Sequence, residues 1–303
     1  MVDISTKISG IKLKTPLMLA SGILGTAGTS LKRIAVFGGA SAIVTKSLGV
    51  EPRSGHKGPT IVKSIAGGLI SAIGLANPGY EAFKEELDIA KEGGVPVIGS
   101  AYGFSFREYI EVAQALESYG ASAVELNLSY PNVGKTGAFY GKHTELSYEV
   151  VKAVKESVNI PVFAKLTANV SDIVKVAKAC EEAGVDAITA ITSLEAMKID
   201  VNTGRPVLGN KVGGLSGPCI KPIALRCVYA ITKEVDVPVI GCGGITTGED
   251  ALEFIMAGAQ ACQIGTGILT RGITIFKKIA REMEEIMEKQ GYRNLDEIRG
   301  IAH

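Results

Sequence analysis

Eight short, nearly uninterrupted apolar runs punctuate the chain, at residues 17–20, 41–45, 96–100, 122–127, 162–166, 186–191, 237–241 and 260–264. Three of them follow a proline and close on small or polar residues: VPVIGSAYG at 95–103, IPVFAKLTAN at 160–169 and VPVIGCGGIT at 237–246. Runs this short and this evenly apolar suit strands of a parallel sheet covered on both faces. Between them the apolar spacing changes to three and four residues. That change predicts helices near 29–38, 80–93, 105–119, 145–157, 171–184, 219–235, 248–258 and 273–290. The segment 171–184, SDIVKVAKACEEAG, shows the full pattern: a Ser-Asp start, an apolar stripe and a glycine stop.

Eight strand–helix units in 303 residues, with no linker between them, predict one α/β domain over residues 1–303. A (β/α)8 TIM barrel is the expected architecture, ahead of an open doubly wound sheet. Stretches 47–78 and 193–217 are too long for plain connections. They are expected to be insertions after strands two and six, walling a site on the C-terminal face.

Charge and composition then remove several classes of function. Thirty-two Lys and Arg against 31 Asp and Glu leave a net charge of +1, which gives no electrostatic case for nucleic acid or an anionic membrane. Asp3, Lys7, Lys12 and Lys14 interrupt the N-terminal segment, so neither a signal nor a spanning helix is expected there and a cytoplasmic location is. The five cysteines form no CxxC pair and only three histidines are present, so no metal site is expected. The thiols read as reduced and mostly buried.

Barrel chemistry is carried at the C-terminal ends of the strands. In this chain those positions are Ala20-Ser21-Gly22, Lys46-Ser47, Ser100, the segment from Asn127 to Asn132, Lys165, Ile191-Thr192-Ser193, Gly243-Gly244 and Gly265-Thr266. No Asp, Glu or His is among them, which argues against a metal hydrolase or a paired-carboxylate glycosidase. Amides, hydroxyls and two lysines suit a polar, electron-accepting cofactor.

GCGGITTGEDALEF and QIGTGILTRG end strands seven and eight, where barrels commonly bind phosphate on backbone N–H groups. Thr266 can add a hydroxyl there, and a helix starting after it can add its dipole. Tight turns alone would explain either glycine pair taken singly. Lys46 and Lys165 each close an apolar strand, where an unpaired ammonium is costly. Two cations fit an electron-rich ring such as the N1–O2 edge of a reduced flavin. A Schiff-base lysine is the rival reading for Lys165.

Taken in order, LMLASGILG, IVTKSLGVEPR, AIGLANPG, ELNLSYPNV, GGLSGPCIKP, GCGGITTGEDALEFIMAGA and QIGTG resemble the motifs of the dihydroorotate dehydrogenase family, soluble FMN-dependent class, nearly end to end. The resemblance implies FMN in the barrel, with its phosphate at Gly243-Gly244 and Gly265-Thr266 and its ring beside Lys165 and Lys46. Ala20, Ser21, Gly22, Ser47, Ser100, Asn127, Ile191 and Gly217 would complete the cofactor contacts. The substrate would meet Lys46, Gly74, Leu75, Asn127, Asn132 and Ser193. In that family a hydride leaves C6 of dihydroorotate for flavin N5 while a loop base removes a C5 proton. Reoxidation comes from fumarate, or from NAD through a separate iron–sulfur flavoprotein subunit, and nothing in the chain distinguishes these. A homodimer is also implied.

Three departures from the family pattern fall in the substrate half. Tyr130 stands where the family's loop carries Cys or Ser, Ser71 where L-N-A-I-G-L supplies an Asn, and Thr192 where I-N-T supplies another. Each lost amide is worth about 1–3 kcal/mol when a partner is left unpaired, so two could weaken orotate binding by roughly 10²–10⁴ unless other groups compensate. A tyrosine of ordinary pKa, about 10, is a poor base at neutral pH but a serviceable acid. Tyr130 could therefore donate a proton to a C=C bond in the reverse direction, act as an unusual base, or only pack. The expectation leans to an FMN-dependent oxidoreductase acting on a CH–CH or C=C bond of a different small polar substrate. A genuine dihydroorotate dehydrogenase of pyrimidine biosynthesis with an unusual base, and a non-catalytic FMN-binding protein, are the alternatives.

Overall fold

The computed structural model describes residues 2–128 and 140–303. Eight parallel strands close into a barrel in chain order: Leu17–Leu19, Ala42–Val44, Val97–Ala101, Ala123–Asn127, Val162–Leu166, Ala187–Ala190, Val239–Cys242 and Ala261–Ile264. Each overlaps one of the apolar runs, and helices surround the barrel, so the fold is a (β/α)8 TIM barrel. Alternate residues of each strand face opposite ways. Leu17, Leu19, Ile43, Val124 and Leu126 join the core between strands and helices. Met18, Val44, Ile98, Phe163 and Ile240 pack inside the barrel. Because both faces are buried, neither parity can be polar along most of a strand, and the strands read as continuous apolar runs.

The predicted helices are present, three of them with irregular first or last turns. Gly28–Arg33 continues as a π-helical turn over Ile34–Gly38, while Lys84–Lys91 and Lys221–Thr232 each follow a 3-10 turn. Side chains cap the helix starts. Asp172 accepts from the N–H groups of Val174 and Lys175, and Ser105 from that of Glu108. Thr247 and Asp250 form a reciprocal capping box at Gly248–Met256.

Two features fall outside the predicted set. An N-terminal hairpin pairs Thr6–Ile8 with Ile11–Leu13 through Ser9 and Gly10, both at positive φ. Its Ile8 and Leu13 pack on Met18, Ala42, Ala123 and Phe163, plugging the N-terminal mouth of the barrel. The two insertions do not stand apart as separate walls. Ile61–Lys63 and Leu69–Ser71 from the first join Leu194–Met197 and Val212–Ser216 from the second in one four-stranded antiparallel sheet. Strands of three to five residues carry too little alternation to be read from sequence. Among the described residues no helix is long and apolar enough to cross a membrane, and all five cysteines are free.

Candidate active site

A cavity of about 420 Å³ opens at the C-terminal ends of the barrel strands, walled on one side by the insertion sheet. Its size is that of a cofactor or small-ligand site. The expected positions converge on it: Ala20-Ser21-Gly22, Lys46-Ser47, Asn127, Lys165, Ile191-Thr192-Ser193, Gly217, Gly243-Gly244 and Gly265-Thr266 all line it. Ser71, Gly74 and Leu75 line it from the insertion side. Tyr130 and Asn132 lie outside the described residues.

At one end the glycines make a cup. Gly243 and Gly244 have φ of 139° and 78°. A Cβ on Gly243 would sit 2.6 Å from the Cβ of Ala224, and one on Gly244 would sit 2.8 Å from that of Lys221. Among the described residues, the backbone N–H groups of Gly243, Gly244, Gly265 and Thr266 donate to no protein acceptor. Such converging donors fit a phosphate. The Thr266 hydroxyl is engaged, donating to Ser216 Oγ at 2.8 Å, and the helix that follows is a single short turn, Gly267–Arg271. The backbone donors therefore dominate over a helix dipole here.

Along the barrel rim a string of small polar groups is tied together. Ser47 Oγ lies 3.3 Å from Ser21 Oγ and 2.9 Å from Ser100 Oγ, and it accepts from Asn127 Nδ2 at 3.1 Å. Ser100, expected to touch the cofactor, is fully buried behind Ser47 and does not line the cavity. It sits one layer back because its strand runs on to Ala101 and pairs Ser100 with the inward Glu125. From there its hydroxyl shares a hydrogen bond with that of Ser47.

The two lysines differ sharply. Lys46 has no acidic partner among the described residues, and burial pushes its ammonium below the usual lysine range. Lys165 is fully paired. Its Nζ donates to Gln263 Oε1 at 2.5 Å and lies 3.3 Å from Glu125 Oε1. The named strand-end positions carry no carboxylate, but Glu125 stands two residues before Asn127 with its side chain inward, completely buried beneath the cavity floor.

The insertion wall brings the substrate-half positions together. Ser71 pairs with Gly214 across the sheet, and a Cβ on Gly214 would fall 2.1 Å from Ser193 Oγ, so only glycine lets Ser193 approach. The insertion also contributes His56, whose backbone N–H donates to Ile73 O at 3.0 Å and whose ring abuts Gly74. His56 Nε2 and Thr192 Oγ1 are both buried without a hydrogen-bond partner among the described residues. Such groups are costly unless a ligand or water satisfies them.

Sequence reasoning missed His56, Glu125, Gln263 and Cys242. Glu125 and Gln263 had a readable signal, each being the lone long polar residue inside an apolar strand, in AVELN and ACQI. His56 had none, because only the insertion's tertiary placement brings it to the cavity. Among the described residues no three His, Cys, Asp or Glu side chains converge as metal ligands would.

Residues 3–287 match the family model described as dihydroorotate dehydrogenase. A protein of Methanothermobacter thermautotrophicus, named dihydroorotate dehydrogenase B (NAD(+)), catalytic subunit, is 48% identical over 302 residues, covering 99% of this chain and 98% of that protein. Proteins of the same name from Methanocaldococcus jannaschii and Pyrococcus abyssi are 47% and 48% identical, each over 99% of this chain and 98% and 99% of their own lengths.

Proposed function

The chain belongs to the dihydroorotate dehydrogenase family, oxidoreductases acting on CH–CH donors, and from that membership we propose that it oxidises dihydroorotate to orotate with bound FMN. We read it as the catalytic subunit of a two-component enzyme, residues 1–303 forming one FMN-binding barrel. Electrons then pass to NAD+ through a separate flavoprotein subunit, a reading supported by the names of the similar proteins.

One observation carries the proposal. A single cavity joins a cup of backbone donors to a wall on which His56 Nε2 and Thr192 Oγ1 are buried, with Lys165 between them at the floor. Neither the cup nor these two atoms have a protein partner among the described residues. Gly243, Gly244, Gly265 and Thr266 would hold the FMN phosphate, and Lys165 the electron-rich edge of its ring. When bound, FMN supplies the acceptor for a hydride. Lys46 offers the substrate carboxylate a cation that no protein acid neutralises among the described residues. Thr192, Ser71, Ser193 and His56 offer hydrogen bonds to the amide edge of the ring, with His56 making up for an amide the sequence lacks. Tyr130, three residues beyond Asn127, is the candidate for the C5 proton.

Ser71, Thr192 and Tyr130 favour a second reading, in which the same machinery serves another small polar CH–CH or C=C compound. Anaerobic titration of the FMN-loaded protein with dihydroorotate decides between them. The first reading expects stoichiometric bleaching of the flavin absorbance with orotate as product. Unchanged absorbance would reject it in favour of the second.

Lys46 also fixes a pH dependence. Its ammonium is disfavoured in the folded protein, so folding without ligand is penalised while Lys46 is charged. That penalty is full below the lowered folded value and fades as pH rises toward the unfolded value of about 10.4. An anion bound against the ammonium reverses the sign. Orotate affinity is therefore expected to fall with rising alkaline pH, and Lys46→Met to raise the melting temperature of the ligand-free protein while abolishing the pH-dependent part of orotate binding. Calorimetric titration across pH, with buffers of different ionisation heat, measures both the affinity and the protons taken up.

A further inference from the structure

Three side chains from three barrel strands, Glu125, Lys165 and Gln263, close a polar ring under the cavity, and Thr189 from a fourth strand bonds to its Glu125. Glu125 Oε2 accepts from Thr189 Oγ1 at 2.9 Å and from Gln263 Nε2 at 2.5 Å. Gln263 Oε1 accepts from Lys165, whose Nζ also faces Glu125 Oε1 at 3.3 Å. Glu125 and Thr189 are 0% exposed, Gln263 1% and Lys165 6%. Lys165 and Gln263 reach the cavity, whereas Glu125 does not.

A carboxylate and an ammonium at this depth are a poor way to stabilise a barrel. Apolar residues of similar volume usually serve as well or better, because desolvating both ions offsets most of their attraction. The inner layer nearer the hairpin is made of such residues: Met18, Ile98, Phe163 and Ile240. The charge pair is confined to the layer that touches the cavity, which points to what lies above it.

We propose that Glu125 is a positioning residue that, through Lys165, holds a permanent positive charge against the cofactor edge and so sets how readily the cofactor accepts electrons. The assignment rests on the FMN reading above. Burial is the largest influence on the Lys165 ammonium and depresses it, but the Glu125 carboxylate, together with Cys242, opposes burial and the balance holds the ammonium above the ordinary lysine range. Among the described residues, the titratable groups facing Lys165 are Glu125 from the fourth strand and the Cys242 thiol from the seventh, while Thr189 of the sixth and Gln263 of the eighth are uncharged.

Because Lys165 is charged before and after reduction, it takes up no proton when electrons arrive. Glu125→Gln removes the main group that opposes burial, so Lys165 gives up its proton while the cofactor is oxidised. Reduction adds negative charge beside the lysine, which then recovers the proton. The variant therefore takes up one more proton per two electrons than the wild-type protein does.

The test is a spectroelectrochemical titration of the FMN-loaded protein between about pH 6 and 10. The expected result is a steeper fall of midpoint potential with pH in Glu125→Gln, by one proton per two electrons, with the wild-type slope retained in Glu125→Asp. A yellow Glu125→Gln protein with the wild-type slope overturns the assignment while leaving the FMN reading intact. A protein that does not retain added FMN overturns both. Should Glu125→Gln fail to fold, infrared reduced-minus-oxidised difference spectra of the wild-type protein decide the matter. They are expected to show no protonated carboxyl band, and its appearance on reduction would place the proton on Glu125 and overturn the assignment.

Discussion

Lys165→Met is expected to cost about 3–5 kcal/mol of stability, and adding Glu125→Gln to return most of it. In the single variant the Glu125 carboxylate keeps its bonds from Thr189 and Gln263 but loses its counter-ion, in a position with no solvent exposure. An uncompensated buried charge is among the few single defects that destabilise on this scale. The double variant removes both charges and leaves groups of similar size, a change that is often nearly neutral in buried pairs. Denaturant titrations of the apo-proteins measure the cycle, and the coupling between the two sites should exceed about 1 kcal/mol, above the ordinary error of additivity. Equal losses in the single and double variants would show that Glu125 does not depend on Lys165. Because the measurement uses apo-protein, it tests the pair without assuming any cofactor.

That pair also marks where sequence reading stopped. The eight strands were legible because burial on both faces makes each an apolar run with a polar end, and the helices because their spacing and caps are local. VPVIGCGG and QIGTG pointed to a phosphate cup because glycine at a strand end has few other uses when it recurs in the neighbouring strand. Lys46 and Lys165 stood out by cost, as cations ending apolar runs. The ring of Glu125, Lys165 and Gln263, with Thr189 bonded to Glu125, was not assembled, although each of the four is plainly inward-facing once the strand parity is known. Its contacts span 40 to 138 residues along the chain and depend on closure of the barrel. Ser100 was placed at a strand end by its sequence position, whereas the strand runs one residue further, to Ala101, and Ser100 is buried behind Ser47. The insertions posed a harder problem. Ile61–Lys63 and Leu69–Ser71 pair locally with each other, but Leu69–Ser71 joins Val212–Ser216 more than a hundred positions later, so neither the four-stranded sheet nor the arrival of His56 could be read locally.

Tyr130→Phe is expected to lower the rate of flavin reduction by dihydroorotate by about 10²–10⁴, the usual contribution of a positioned general base. The identity of the base also sets the shape of the pH profile. A tyrosine of ordinary pKa, about 10, is ionised in roughly one molecule in a thousand at pH 7, so the rate should climb nearly tenfold per pH unit through the neutral range. Lys46 works in the opposite direction. Its ammonium titrates below the usual lysine range because it is buried, and the hold on the substrate carboxylate weakens as it does so. The wild-type profile for dihydroorotate should therefore rise and then fall. Tyr130→Phe should remove the rising limb and leave the falling one, since Lys46 is untouched. Tyr130→Cys should keep a rising limb but move it down by roughly 1.5 pH units, toward the ordinary thiol value of about 8.5. Stopped-flow measurement of flavin bleaching in the three proteins separates these outcomes from a general loss of fold, which would scale the whole profile without changing its shape. If Tyr130→Phe reduces its flavin with dihydroorotate at the wild-type rate, the phenol has no part in proton removal. If the wild-type protein does not reduce it with dihydroorotate at all, Tyr130, Ser71 and Thr192 together mark a site rebuilt for another substrate, one to which a phenol of ordinary pKa would more naturally give a proton than take one.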